Sequence, residues 1–517
     1  MRRQDIQLLV SARQGDTAAR CEVGRRYLLG VDGFPHHVAT GIEHLTHPSV
    51  RELPQAARIV AEHLPLEQLV AQHQEKALER AAAAGSAVAQ LKLAVVRQLL
   101  ERRPADALRW FRAAADNGSD AARRALHLLG RPAEGKALVD LLRVLAAAGG
   151  IDAAAIALVA AQRARDAGDV GALADSVQAA SALAAENAGE LQALVVDAVR
   201  LAEAQQRPLG RIDAAFVREA LESRANKGDG DAAYALGRGL CGITNVALDD
   251  AVFAEQLNMR KGAAFLLRAA DAGCDAAWLH LYRLHADHRL SVANPQMARY
   301  FLEKAAARGQ AEAQRKLGAL LLRESTDVAE SELAIHWLHL AAGRGDAFAK
   351  ELLLSLVLPM PADDDDAAAA AIVQLRADQP WLAARLDVAR HFGLTKLEAL
   401  CFDPVEGLRP WGLVVGKNPF IAQIRLSAAR AIPAPSEQAL EAARRAATLF
   451  GQARHDALAV EGDLRRRSLR QRRAFERLGL AETMFFADAT ATVLDALRLG
   501  PKWAFRAKEP LNLALAA

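Results

Sequence analysis

Six arginines crowd into nine residues: Arg465, Arg466, Arg467, Arg470, Arg472 and Arg473. Closely spaced guanidinium groups displace counterions from a phosphate backbone, so nucleic acid is one chemistry open to them. An acidic protein or a lipid head group is another. A solvated helix face is the third, because Glu461, Asp463 and Glu476 stand at the ends of the run. Six like charges repel one another, which motivates a use. An acidic protein partner is favoured over DNA, with Arg466, Arg470 and Arg473 as the expected contacts.

Other clusters offer less. His280, His285 and His288 sit close together, but no HExxH and no matching carboxylate set accompanies them, so no metal is expected. There is no GxGxxG, no GxxxxGK[ST] and no GxSxG, hence no phosphate-cradling loop and no nucleophile elbow. No nucleophile can be paired with a base. The expectation is therefore no catalytic residue and no cofactor. Residues 386–400 have the outline of a helix-turn-helix around Gly393, but Asp403-Pro404 stops the second helix early. A DNA-reading helix must be long enough to lie in the major groove, so a structural turn is expected.

The elements that would carry these residues announce themselves through a recurring phrase. Paired alanines, a short spacer, glycine and more alanine appear at 81–87, 113–119, 269–273, 305–309 and 341–346. Gly273, Gly309 and Gly345 are spaced 36 apart, and Gly85 and Gly118 are spaced 33 apart. A fixed period in this range marks stacked helical hairpins. In the clearest unit, 315–346, Leu333, Trp337, Leu340 and Ala341 recur at helical spacing and predict one buried face. Gly345 supplies the stop, since glycine accepts a left-handed conformation. Gly318 lies inside the preceding helix at a cost of about 1 kcal/mol against alanine, which predicts a helix crossing there. Gly24 and Gly237 hold the same place.

These residues resemble the Sel1-like repeat, a relative of the tetratricopeptide repeat. The match runs through Ala19, Val23-Gly24, Tyr27, Gly30, Gly33, Ala39 and Leu45, then Leu108, Trp110-Phe111, Ala113-Ala114 and Gly118. It is densest from Gly228 to Asp346, at Leu236-Gly237, Phe265-Leu266, Gly273, Tyr300-Phe301-Leu302, Gly309, Leu317-Gly318, Trp337-Leu338 and Gly345. The resemblance implies an all-α right-handed superhelical solenoid and a surface that binds protein segments. The paired cysteines of secreted members are absent. Tyr282 and Arg283 fall where a concave groove is expected, and aromatic and arginine anchors dominate binding energy. They are the expected recognition residues of the repeats.

The chain has 517 residues, 52% hydrophobic, 25% charged and 5% aromatic, with a net charge of +3. Much of the apolar share is alanine, which suits thin helix–helix interfaces. The small net charge gives the chain as a whole no footprint for nucleic acid. Cys21, Cys241, Cys274 and Cys401 form no CxxC, against a disulfide framework or thiolate zinc site. No run reaches the ~18 apolar residues of a membrane helix, and the N-terminus has no signal-peptide core. A cytoplasmic location is expected.

Domains are expected at 1–130 (repeats), 131–225 (degenerate alanine-rich hairpins), 226–357 (repeats), 358–380 (linker) and 381–517 (a smaller α+β domain). The linker rests on Pro359, Pro361 and Asp363–Asp366, which do not continue a packed helix. Residues 381–517 hold 21 basic and 14 acidic side chains, an excess of +7 against −4 for the rest. Residues 411–415 and 420–426 predict a β-hairpin. Ser436 predicts a helix cap, and another helix is expected at 463–478. The functional expectation is a non-enzymatic scaffold or adaptor with a protein partner. The alternatives are enzymatic or nucleotide-binding chemistry in the C-terminal domain recruited by the repeats, or a nucleic-acid-linked regulator.

Overall fold

The computed structural model describes residues 3–129, 137–183, 188–210, 212–243, 246–248, 253, 257–361, 365–416, 429–452, 461–488, 490–498 and 507–517. The chain packs as two compact units, Met1–Cys274 and Asp275–Ala517. Both are runs of paired α-helices, so the fold class is all-α. A small antiparallel sheet in the second unit is the one departure among the described residues.

The alanine–glycine phrase has one structural meaning at each site. At its first occurrence the Gly85 N–H donates to the Ala82 carbonyl, and the Ser86 N–H to the Ala81 carbonyl. The same pair of bonds recurs from Gly118 and Ser119 to Ala115 and Ala114, and from Gly345 and Asp346 to Ala342 and Ala341. These bonds close a helix when the glycine position turns left-handed. Gly85, Gly118 and Gly345 have φ of 90°, 94° and 90°. The alanines Ala81, Ala114 and Ala341 are fully buried against a neighbouring helix. The residue after the glycine then opens the next helix: the Ser86 hydroxyl accepts from the Ala89 N–H, and the Asp346 carboxylate from the Ala349 N–H at 2.9 Å. Such caps contribute about 1 kcal/mol each. One phrase thus stops a helix and starts another.

Gly318 lies where helix Ala311–Glu324 crosses Val328–Gly343. A Cβ there would sit 2.9 Å from the Ala334 carbonyl and 2.7 Å from the Leu338 side chain. In the first unit Gly237 meets the Leu266 backbone nitrogen at the same 2.9 Å. Both crossings are backbone against backbone, which only the smallest residue permits. The alanine-rich stretch between the clearer repeats is helical too, at Ala153–Asp166, Val170–Ala182 and Ala188–Ala204.

In the second unit, strands β1 (Leu408–Arg409), β2 (Gly412–Val415) and β3 (Arg430–Pro433) form an antiparallel sheet in that order. Leu413 pairs with Leu408 on one side and Ile432 on the other. Side chains alternate between faces, and both faces are covered. Leu413, Val415 and Ile432 join a core with helices Asp365–Asp378, Pro380–Phe392 and Glu437–Gln452. Trp411, Val414 and Ala431 join a second core with helices Ala311–Glu324, Val328–Gly343 and Lys508–Ala516.

One expectation is corrected. Residues 365–378, inside the linker expected at 358–380, form a helix. Its Ala368, Ala371, Ile372 and Leu375 are buried, an i, i+3, i+4, i+7 face that the acidic run obscured. Of the expected hairpin, Gly412–Val415 is a strand that pairs with Leu408–Arg409 and Arg430–Pro433, and 420–426 lies outside the described residues. The helices expected from Ser436 and Asp463 are Glu437–Gln452 and Leu464–Leu478. The Asp463 side chain caps the second by accepting from the Arg466 N–H.

Candidate partner-binding site

Helix Ala276–Ala286 carries Tyr282 and Arg283, and helix Ala311–Glu324 carries Glu312, Arg315 and Lys316. Arg283 donates to the Glu312 carboxylate at 2.6 Å, and Lys316 lies 3.7 Å from the same group. Tyr282 is half-buried; burial pushes its hydroxyl pKa up, and the nearby Glu312 charge adds to that. Arg315 is almost wholly buried. Its Nε donates to Asp346 at 2.9 Å, and its guanidinium lies 5.3 Å from the centre of the Phe348 ring. Another arm of its fork reaches a helix end: Nη1 donates to the Ala514 carbonyl at 2.7 Å in a buried contact. Lys316 Nζ donates to the Leu515 carbonyl at 3.3 Å. Burial pushes the Lys316 pKa down, while Glu312 keeps a counter-charge beside it.

The helix thus held, Lys508–Ala516, lies against Ala311–Glu324 and Ala347–Ser355. Leu511 and Ala514 are its buried face, and Ala507 is buried at its N-cap. The last carbonyls of a helix have no intrahelical donor and carry the negative end of its dipole. Two cations therefore recognise it by its end as well as by its side. The helix is held along a narrow apolar stripe and at the carbonyls of Ala514 and Leu515.

The arginine cluster stands elsewhere in this unit and is divided. On helix Leu464–Leu478, Arg467 turns inward to the Leu400 carbonyl at 2.9 Å and to Glu461 at 3.5 Å. Arg470 donates to the Glu461 carbonyl at 2.9 Å. Arg472 pairs with Glu476 at 2.9 Å. Arg465, Arg466 and Arg473 are exposed. The six side chains therefore do not form one face: two of them brace the fold.

What they brace was not visible in the sequence. Arg385 makes a two-pronged pair with Glu461, both bonds 2.9 Å, between the rings of Phe402 and Phe450. Arg430 makes a second such pair with Glu398 at 2.7 and 2.9 Å. Burial alone would raise the Glu398 carboxyl. The Arg430 guanidinium and the Thr395 N–H and hydroxyl hold it below the ordinary range instead. The turn at Gly393 belongs to this network. Helix Pro380–Phe392 ends there in a left-handed residue, and Lys396–Cys401 follows with Thr395 and Glu398 as a capping box. The second helix is only six residues long, and its glutamate is spent inside the core.

His285 is engaged with the Val292 carbonyl at 2.6 Å and with the Phe301 ring. Among the described residues no group of three or more His, Cys, Asp or Glu is placed to hold a metal ion. No helix among them is long and apolar enough to cross a membrane. Burial pushes the Cys241 thiol up to about 12 and the Cys401 thiol up to about 11.

No family model and no curated protein matches the chain. Solved structures similar to it include the following two. One is a protective antigen present in uropathogenic Escherichia coli strains, displaying an SLR fold. It is 17% identical, covers 92% of this chain and 95% of its own, and gives a TM-score of 0.29. The other is a Sel1 repeat protein from Oxalobacter formigenes, 19% identical over 67% of this chain and 88% of its own, with a TM-score of 0.26. Both neighbours are Sel1-like repeat structures.

Sequence reasoning singled out Tyr282 and Arg283 and did not single out Arg315 and Lys316. The available signal was the Arg315-Lys316 pair preceding the Leu317-Gly318 crossing. A cation there must lie near the crossing helices, although its partner 199 residues away leaves no local trace.

Proposed function

We propose that this chain is a non-enzymatic protein–protein interaction scaffold that binds helical segments on its repeat faces. The observation that carries the reading is the seat of helix Lys508–Ala516, gripped by Arg315 and Lys316 at its terminal carbonyls. A repeat face already shaped around one helix supports a role in holding others; Arg283 shares the Glu312 carboxylate with Lys316 beside that seat, and Tyr282 precedes it on the same helix. Among the described residues, helices cover both faces of the β1–β3 sheet, which supports this reading over chemistry in the C-terminal region. No disulfide joins the four cysteines, which suits a reducing, cytoplasmic setting.

The test compares proteins captured by the full chain with those captured by Tyr282→Ala and Arg283→Glu variants of unchanged melting temperature. Loss of the same partner from both variants is expected. An identical captured set from parent and variants would refute this face as the recognition surface.

A further inference from the structure

A second and unrelated site lies in the first unit. Helices Pro54–His63 and Glu75–Ala83 enclose a groove of about 390 Å³. Its floor is small and apolar, made by the buried residues Ala56, Ala57 and Val60. Its rim carries Arg51, His73, Lys76 and Arg80, against a single lining carboxylate, Glu52. That carboxylate already shows what the arginines accept: Glu52 lies 3.0 Å from Arg80 and 3.4 Å from Arg51. Glu52 is itself exposed, so an incoming carboxylate can replace it without uncovering a buried charge.

His73 supplies an independent observation. Helix Leu66–Ala71 closes with the two bonds seen at the glycine turns, from His73 N–H to the Val70 carbonyl and from Gln74 N–H to the Leu69 carbonyl. The left-handed position is held by a histidine at φ 54°, where glycine would be free of strain. The same closure is made by Gln206 at φ 53°, so the position tolerates a side chain; at His73 that side chain lines the groove.

We propose that this groove binds an acidic peptide segment. Its carboxylates displace Glu52 from Arg51 and Arg80 and engage Lys76, and a small aliphatic side chain rests on the alanine floor. His73 closes one end as a hydrogen-bonding wall. The proposal does not depend on the helix-binding face of the second unit, so either can fail alone.

The probe is a fluorescein-labelled synthetic peptide of alternating glutamate and alanine, titrated with the full chain and followed by anisotropy at low salt. Saturable binding is expected, weakened at least tenfold by Arg80→Glu and by Lys76→Glu. Glu52→Ala should tighten it several-fold, because the internal competitor is gone. His73→Gly should weaken it at least threefold without lowering the melting temperature, a split that a merely structural histidine does not produce. A lysine–alanine peptide should not bind, and inorganic phosphate at equal charge should not displace the probe. The proposal is overturned by absence of saturable binding to both parent and Glu52→Ala. It is equally overturned if Arg80→Glu and Lys76→Glu leave affinity unchanged, or if transfer RNA binds the same residues more tightly than the peptide.

Discussion

Arg315 and Ala514, 199 residues apart in sequence, meet through a 2.7 Å hydrogen bond from guanidinium to main-chain carbonyl. The donor is buried and charged, and the acceptor is a helix-end oxygen with no intrahelical donor. A buried charge-assisted bond of this sort contributes about 1.5–3 kcal/mol. Arg315→Leu is therefore expected to loosen helix Lys508–Ala516 before the rest of the unit. Hydrogen exchange should show protection in 508–516 falling at least tenfold, with Pro295–Ala307 little changed. Lys316→Ala, whose bond is longer at 3.3 Å, should give a smaller loss. Uniform loss of protection across the whole unit would mean that Arg315 acts through Asp346 and not through the helix end.

Gly318→Leu should destabilise the array by about 1–3 kcal/mol more than Arg323→Ala. Added volume at Gly318 meets the Ala334 carbonyl, a backbone atom that cannot rotate away. Arg323 is exposed on the same helix. Urea midpoints of the two variants measure the difference. Equal midpoints would show that the crossing opens at little cost.

These two cases separate what the sequence reveals from what it hides. Gly318 and the Ala–Gly turns are local: a stop, a cap and a crossing each occupy a few consecutive residues and leave a period behind them. Arg315 with Ala514, and Arg430 with Glu398, are joined only by the fold. An arginine bound for the core looks like an arginine bound for solvent. Arg467 and Arg470 were read with their exposed neighbours for that reason. The Asp365–Asp378 helix was hidden differently, because its acidic first turn favours a helix N-terminus yet reads as a break when the following alanines are weighed as filler.

The Arg430–Glu398 pair makes a prediction with a defined pH window. Both side chains are about 1% exposed, and breaking such a pair by removing one partner typically costs about 3–5 kcal/mol. Glu398→Gln should cost that much near pH 7. Because Glu398 is held below the ordinary carboxylate range when folded, its contribution is complete above that range and disappears as pH falls through the lower folded value. The stability gap between parent and Glu398→Gln should accordingly narrow on acidification below the ordinary range. Denaturant titrations from neutral to acid pH check this. A gap that stays constant down to acid unfolding would mean the carboxylate is not ionised in the folded chain.

Lys92 reverses that sign. It is buried in the first unit, and its Nζ donates to the Ala61 and Leu64 carbonyls, each at 2.8 Å. Those carbonyls end helix Pro54–His63, a favourable place for a cation. Burial outweighs the favourable Glu67 and Glu62 charges and pushes the pKa from 10.5 down to about 8. Between these two values the unfolded chain holds the proton and the folded chain has released it, so folding is favoured as pH rises. The shift corresponds to about 3 kcal/mol, fully expressed near pH 10.5 and absent below about pH 8. Neutral Lys92 still has two N–H groups, enough for both carbonyls, so the bonds survive deprotonation. Other groups titrate in the same range, and Lys92→Met isolates the local term by having no proton to lose. The parent should gain stability relative to Lys92→Met between about pH 8 and pH 10.5, read as diverging urea midpoints. A constant difference across that range would show that Lys92 has the same proton affinity in both states, and that its burial carries no charge penalty.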